Sequence, residues 1–267
     1  MCTPILFDPP AKRKAANRAA HDFLWAEAAE LLAESLAALT PRFAQVAELA
    51  PLTAHLTALL RARAGTQQVQ EVPLTDEHLA LAPASVDAIA SNLSLYDIND
   101  LPGVFIQAYR ALRPDGLFIA TLPGATSLQE LRDALGAAES ATRGVISPRV
   151  APFMEVRDAG NLLQRAGFAL PVVDSTTLTV AYPHLFALMQ ELRGAGETNR
   201  LAGRVKHFTA RALFLQAAEY YAAQHAHPEG GITVTAEIIT LTAWKPATSQ
   251  QQPARRGSGK TSFHEIF

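Results

Sequence analysis

The chain has 267 residues, 49% of them hydrophobic, with 23 Lys+Arg against 25 Asp+Glu for a net charge of −2. That much apolar material supports a sizeable core, and the near-balanced charge excludes both whole-chain disorder and a general nucleic-acid-binding surface. The single cysteine, Cys2, excludes an intramolecular disulfide framework and a multi-cysteine zinc site, and no stretch approaches the roughly 18 consecutive apolar residues of a membrane span.

From Ala15 to Leu39 the apolar positions Phe23, Leu24, Leu31, Leu32, Leu36 and Leu39 recur at helical spacing until Thr40-Pro41, which predicts an N-terminal helical segment within residues 1–42. Lys12-Arg13-Lys14 at its start reads either as a solvated helix start or as a peripheral contact to acidic lipid head groups. The pattern after these cations is broken by Glu27, Glu30 and Glu34, unlike a signal-peptide core, so the expected location is cytoplasmic. Next come a strand at Phe43–Leu49, a helix at Thr53–Arg63 stopped by Gly65, and a strand at Val69–Val72. Between that helix and Pro73 there is no room for a further strand and crossover helix.

Ser85–Ser91 predicts a buried strand, Leu101–Leu112 a helix, Arg113-Pro114-Asp115-Gly116 a turn with Gly116 taking its left-handed position, and Leu117–Leu122 another strand. Asn99 or Asp100 is placed to cap the helix at Leu101. Ser127 and Glu130 have capping-box spacing before a helix at Leu128–Glu139. A helix at Asp158–Ala166, a β-rich run at Val172–Val180, helices at Leu185–Arg193 and Ala210–Gln224, and a long β-branched strand at Ile232–Trp244 follow. The polar remainder, 245–267, reads as a tail. This alternation predicts an α/β domain over 43–244 with a mainly parallel sheet covered by helices on both faces.

In an open sheet of this class, ligands bind outside the carboxyl ends of the strands at the switch point, here around Glu48–Ala54, Ser91–Asp97 and Thr121–Gly124. The eight histidines show no H-x-x-x-H or HExxH spacing and no G-x-S-x-G elbow is present, so neither a metal centre nor a hydrolase nucleophile is expected. Arg149, Arg193, Arg204 and Arg211 are candidates for a carboxylate, a phosphate or an acidic protein surface, since guanidinium groups bind such partners bidentately.

The string Ser91-Asn92-Leu93-Ser94-Leu95 with Asn99-Asp100-Leu101-Pro102-Gly103, followed by Arg110-Ala111-Leu112-Arg113-Pro114-Asp115-Gly116, resembles the post-strand loops of class I S-adenosylmethionine-dependent methyltransferases. Ser147-Pro148-Arg149-Val150, Leu163-Gln164-Arg165-Ala166-Gly167-Phe168 and Pro171-Val172-Val173-Asp174 resemble bacterial relatives of the mitochondrial complex I assembly factor that hydroxylates an arginine, with kinship to malonyl-carrier-protein O-methyltransferases. The resemblance implies a Rossmann-like sheet that here lacks one edge strand and helix. It also implies S-adenosylmethionine as cofactor, methyl transfer or protein-arginine hydroxylation as activity, and a respiratory complex I subunit as partner. The alternative is a non-catalytic assembly platform.

Carried onto this chain, the cofactor positions are Glu48, Ala50, Leu52, Thr53, Asp76, Ser91, Asn92 and Leu93, and the substrate positions Tyr96, Asp97 and Arg149, with no catalytic base assigned. Two departures stand out. The family's loop glycines are replaced by Ala50, Leu52 and Ala54, with Pro51 removing an amide donor, and Tyr96-Asp97 stands where a His-Trp pair is usual.

Overall fold

The computed structural model describes residues 5–9, 11, 22–250 and 257–258; Cys2, Lys12-Arg13-Lys14 and most of the tail lie outside them. Its main sheet has six strands in the order β2-β1-β5-β6-β8-β7, built from β1 (Gln45–Leu49), β2 (Gln68–Val72), β5 (Val86–Asn92), β6 (Leu112–Pro123), β7 (Ala169–Tyr182) and β8 (Ile232–Trp244). The pairs β1–β2, β1–β5 and β5–β6 are parallel, while β8 runs antiparallel to both β6 and β7. Among the described residues β2 is the outer strand on its side, with no further strand beyond it, in keeping with the short spacer before Pro73.

Alternation along the central strands sorts the core into two layers, because successive side chains leave opposite faces. Val46, Ala88, Ala90, Leu117 and Ile119 pack against α1 (Phe23–Ala37) and α2 (His55–Ala62) through Leu32, Leu36, Leu56 and Leu60. Ala47, Leu49, Ile89, Phe118, Ala120, Ile239 and Leu241 face α3 (Leu101–Ala111) and α5 (Val156–Arg165). There Phe118 meets Phe105 at 5.0 Å and Phe168 at 5.2 Å between ring centroids. Beyond the sheet's far end, α4 (Gln129–Arg143), α6 (Leu185–Gly194) and α7 (Arg211–Gln224) close over Ile232 and Val234.

Three local readings change. Ser127 and Glu130 form no capping box: Leu128, in a left-handed conformation, occupies the N-cap, while the Glu130 carboxylate accepts from the amide and hydroxyl of Thr235 and the Ser127 hydroxyl donates to the Glu237 carbonyl. Both side chains bond across to β8, where the half-buried Thr235 and Glu237 offer partners that compete with the helix end. The Pro-Asp-Gly turn is an irregularity inside β6, with Leu112 opposite Val86 and Leu117 opposite Ala88, and Asp115, not Gly116, takes the positive φ. A hairpin of β3 (Leu74–Thr75) and β4 (His78–Leu79), turning on Asp76 and Glu77, was not expected from the sequence.

Candidate functional site

The carboxyl ends of β1 and β5 lie where the strand order reverses direction, and the chain leaving them opens a cleft of about 960 Å³. One wall is the loop Ala50–Thr53 after β1, another the β3–β4 hairpin through Thr75, Asp76 and Glu77, and a third the loop Ser94–Asp100 after β5. Ala195–Glu197 and Arg200, between α6 and α7, together with Trp25 of α1 and the segment Ile5–Pro9, complete it.

Asp100 caps α3 by accepting from the Gly103 amide, as expected of it. Glu77 holds the loop before that cap, its two carboxylate oxygens accepting from the Asn99 and Asp100 amides at 2.7 and 2.8 Å. Asn99 in turn fastens the N-terminal segment: its Oδ1 accepts from the Leu6 and Phe7 amides, and its Nδ2 donates to the Phe7 carbonyl.

Ala50, Leu52, Thr53, Asp76, Tyr96 and Asp97 are brought together on this one cleft. Glu48, Ser91, Asn92 and Leu93 do not line it. Glu48 is buried against the Thr57 hydroxyl, and burial pushes its carboxyl up to about 7 although that hydroxyl pulls the other way. Ser91 meets Ser94, which also donates to the Leu49 carbonyl, and Asn92 ties the Trp25 carbonyl to the Thr121 hydroxyl. Leu93, with φ +49°, donates to the Thr121 carbonyl. Arg149 lies elsewhere, clasping the buried Glu139 at 2.7 Å, and Arg204 pairs with Asp8 at 2.8 Å.

Ala50 sits at φ +47°, the conformation that glycine would take without cost, and its amide is spent on the Val72 carbonyl at 2.8 Å. The loop therefore keeps the left-handed backbone of a glycine turn while carrying side chains.

The residues that sequence reasoning missed are Glu197 and Arg200. The Arg200 guanidinium donates to Asp97 at 2.5 Å, to Glu197 at 2.5 Å and to the Tyr96 hydroxyl at 2.7 Å, and lies 5.6 Å from the centre of the Tyr96 ring. Burial raises the Glu197 pKa against the pull of Arg200, and burial followed by the Glu197 charge raises the Tyr96 phenol well above its usual value. The only local signal was the Glu197/Arg200 spacing of three in an irregular loop; their partners Tyr96 and Asp97 stand about a hundred residues earlier.

Residues 29–120 match the methyltransferase-domain family. The arginine-hydroxylase NDUFAF5, mitochondrial, of Dictyostelium discoideum is 41% identical over 194 residues, covering 72% of this chain and 44% of that protein, and the human protein of that name is 39% identical with coverage of 72% and 55%. The chain thus spans about half the length of these relatives. The malonyl-[acyl-carrier protein] O-methyltransferase of Xylella fastidiosa is 33% identical over 272 residues, covering 91% of this chain and 90% of that one. Among solved structures, BH2331 of Bacillus halodurans, a candidate methyltransferase, superposes with a TM-score of 0.52 at 16% identity, covering 80% of this chain and 97% of its own. Sheet order, switch-point cleft and near full-length relative agree: the chain belongs to the class I S-adenosylmethionine-dependent methyltransferase family.

Proposed function

We propose that this protein binds S-adenosylmethionine in the switch-point cleft and modifies an arginine side chain of a respiratory-complex subunit, hydroxylation being the reading favoured by the name of the relatives at 38–41% identity. The observation that carries the reading is the charge of the cleft. Among the described residues, six carboxylate side chains line it (Glu71, Asp76, Glu77, Asp97, Asp100 and Glu197) against one cation, Arg200, which is already paired. Such walls favour a sulfonium cofactor and a guanidinium substrate and disfavour a malonyl carboxylate, for which a buried cation would be needed. The volume is also that of a site for a nucleoside-sized ligand, so the cofactor fits by size and by donor set.

Thr53, Asp76 and the backbone around Ala50 and Leu52 would hold the cofactor, and Tyr96 and Asp97 would face the substrate. When bound, S-adenosylmethionine supplies an electrophilic methyl group; this chain's residues position the reactants and exclude water. Glu48, Ser91, Asn92 and Leu93 support the cleft from behind, and Arg149 serves the clasp on Glu139. No helix among the described residues is long and apolar enough to cross a membrane, and the reading places the protein in the cytoplasm, meeting its partner at the membrane surface.

A second reading, a non-catalytic assembly platform for the same subunit, is supported by the Ala50 amide, which bonds within the protein where a glycine-rich loop would offer it to a ligand. Calorimetric titration with S-adenosylmethionine and S-adenosylhomocysteine separates the two. Micromolar binding is the expected outcome; absence of heat up to millimolar concentrations would remove the cofactor reading and leave the platform.

A further inference from the structure

Arg200 is a protein guanidinium seated in a cleft whose walls otherwise carry carboxylates. Its surroundings have the parts of an arginine receptor: carboxylates on two sides, a phenol oxygen, and an aromatic ring beneath. The three residues that supply those parts are held without it. Tyr96 and Asp97 belong to the loop fixed by β5, the Glu77 contacts and the α3 cap. Glu197 is fastened at the end of α6, where its amide donates to the Leu192 carbonyl at 2.7 Å.

Arg200 itself lies in the irregular stretch between α6 and α7, and its side chain reaches back to these groups. A buried ion pair is weak evidence for a role in stability. The backbone carbonyl of Arg200 accepts from the Asp8 amide and the Ala202 amide donates to Leu6, so the same stretch also fastens the N-terminal segment Ile5–Pro9 that lines the cleft.

We propose that Tyr96, Asp97 and Glu197 form a guanidinium subsite that Arg200 occupies in the resting chain and that an arginine side chain of a protein partner takes over. Arg200 is then a built-in stand-in for the substrate, and the site opens only to a ligand able to make the same forked contacts. This rests on the arginine-modifying reading above, but binding at the subsite requires no cofactor and can be measured without one.

The test is calorimetric titration of N-acetyl-argininamide, with N-acetyl-lysinamide as control, into the wild-type chain, Arg200→Ala and the double variant Arg200→Ala/Glu197→Gln, all without S-adenosylmethionine. Removing the occupant should strengthen binding of the arginine amide at least tenfold, leave the lysine amide weak, and lose the gain in the double variant. Equal affinities in wild type and Arg200→Ala, or a gain shared by the lysine amide, would overturn the proposal and leave Arg200 as a structural clasp.

Because Arg200→Ala leaves buried carboxylates without their cation, a measurement on the unaltered chain stands beside it. In wild type the Nε resonance of Arg200 should move as the arginine amide saturates; a resonance unmoved at saturation would equally overturn the displacement. Failure of the earlier cofactor titration with success here would separate the two readings, since the guanidinium subsite would stand on a platform protein.

Discussion

Glu48, next to last in β1, is a buried carboxyl, and its pKa of about 7 against the ordinary 4.5 makes the folded state sensitive to pH. Because the folded pKa is the higher one, its contribution favours the fold at and below about pH 4.5 and is lost as pH rises towards 7. Over that window the loss amounts to about 3 kcal/mol at most. Glu48→Gln keeps an oxygen for the Thr57 hydroxyl and cannot ionise, so its urea midpoint should stay level from pH 5 to 8 and exceed wild type at pH 8; a variant that falls with the wild-type slope would refute this. Ala50 gives a second test beside it. At φ +47° its Cβ is strained, and Ala50→Gly should stabilise the chain by about 1 kcal/mol, read as a raised melting temperature.

Between elements, the tightest constraint is where α7 turns back into β8. Gly231 has φ +82°, and a Cβ there would stand 2.2 Å from the Tyr182 carbonyl oxygen at the end of β7. Gly231→Ala should cost on the order of 2 kcal/mol and loosen the hairpin-like closure of β7 on β8, whereas Gly144→Ala, at positive φ but with open space around it, should cost less. Comparing the two melting temperatures checks the claim.

The elements themselves were readable in proportion to their burial. Ser85–Ser91 and Leu117–Leu122 sit in the middle of a doubly covered sheet and read as short, mostly apolar runs interrupted inside by Asp87 and Thr121, so their placement followed from the residues. β3 and β4 are two residues each, too short to show a period, and their turn uses Asp76 and Glu77 at positive φ where glycine or asparagine would have given it away. The capping-box reading of Ser127 and Glu130 failed because local spacing cannot reveal that Thr235 and Glu237, on a strand more than a hundred residues later, offer competing partners.

At the scale of the molecule, the region of the cleft was legible because it is set by topology: the loops after β1 and β5 must meet at the switch point whatever side chains they carry. The Arg200 cluster was not, because it depends on the approach of the 195–204 stretch to the loop at Tyr96, which no periodicity encodes. Lys245 and Gln250 belong to the body, the Lys245 amine donating to the Leu112 carbonyl at 2.7 Å and the Gln250 amide nitrogen to Asp115 at 2.8 Å. Truncation after Trp244 should therefore lower the melting temperature through loss of these contacts; an unchanged melting temperature would show them to be dispensable.

The place of β8 governs how the chain must be made. It is the last strand in chain order among the described elements, yet it lies between β6 and β7 and bonds to both. A nascent chain leaving the ribosome can lay β1, β2, β5 and β6 side by side early, but β6 then keeps a bare edge and the fourteen residues of β7 have no neighbour until Ile232–Trp244 emerges. During that interval the growing polypeptide carries open strand edges of the kind that recruit other chains, so its passage through synthesis depends on translation speed and chaperone cover more than its finished stability would suggest.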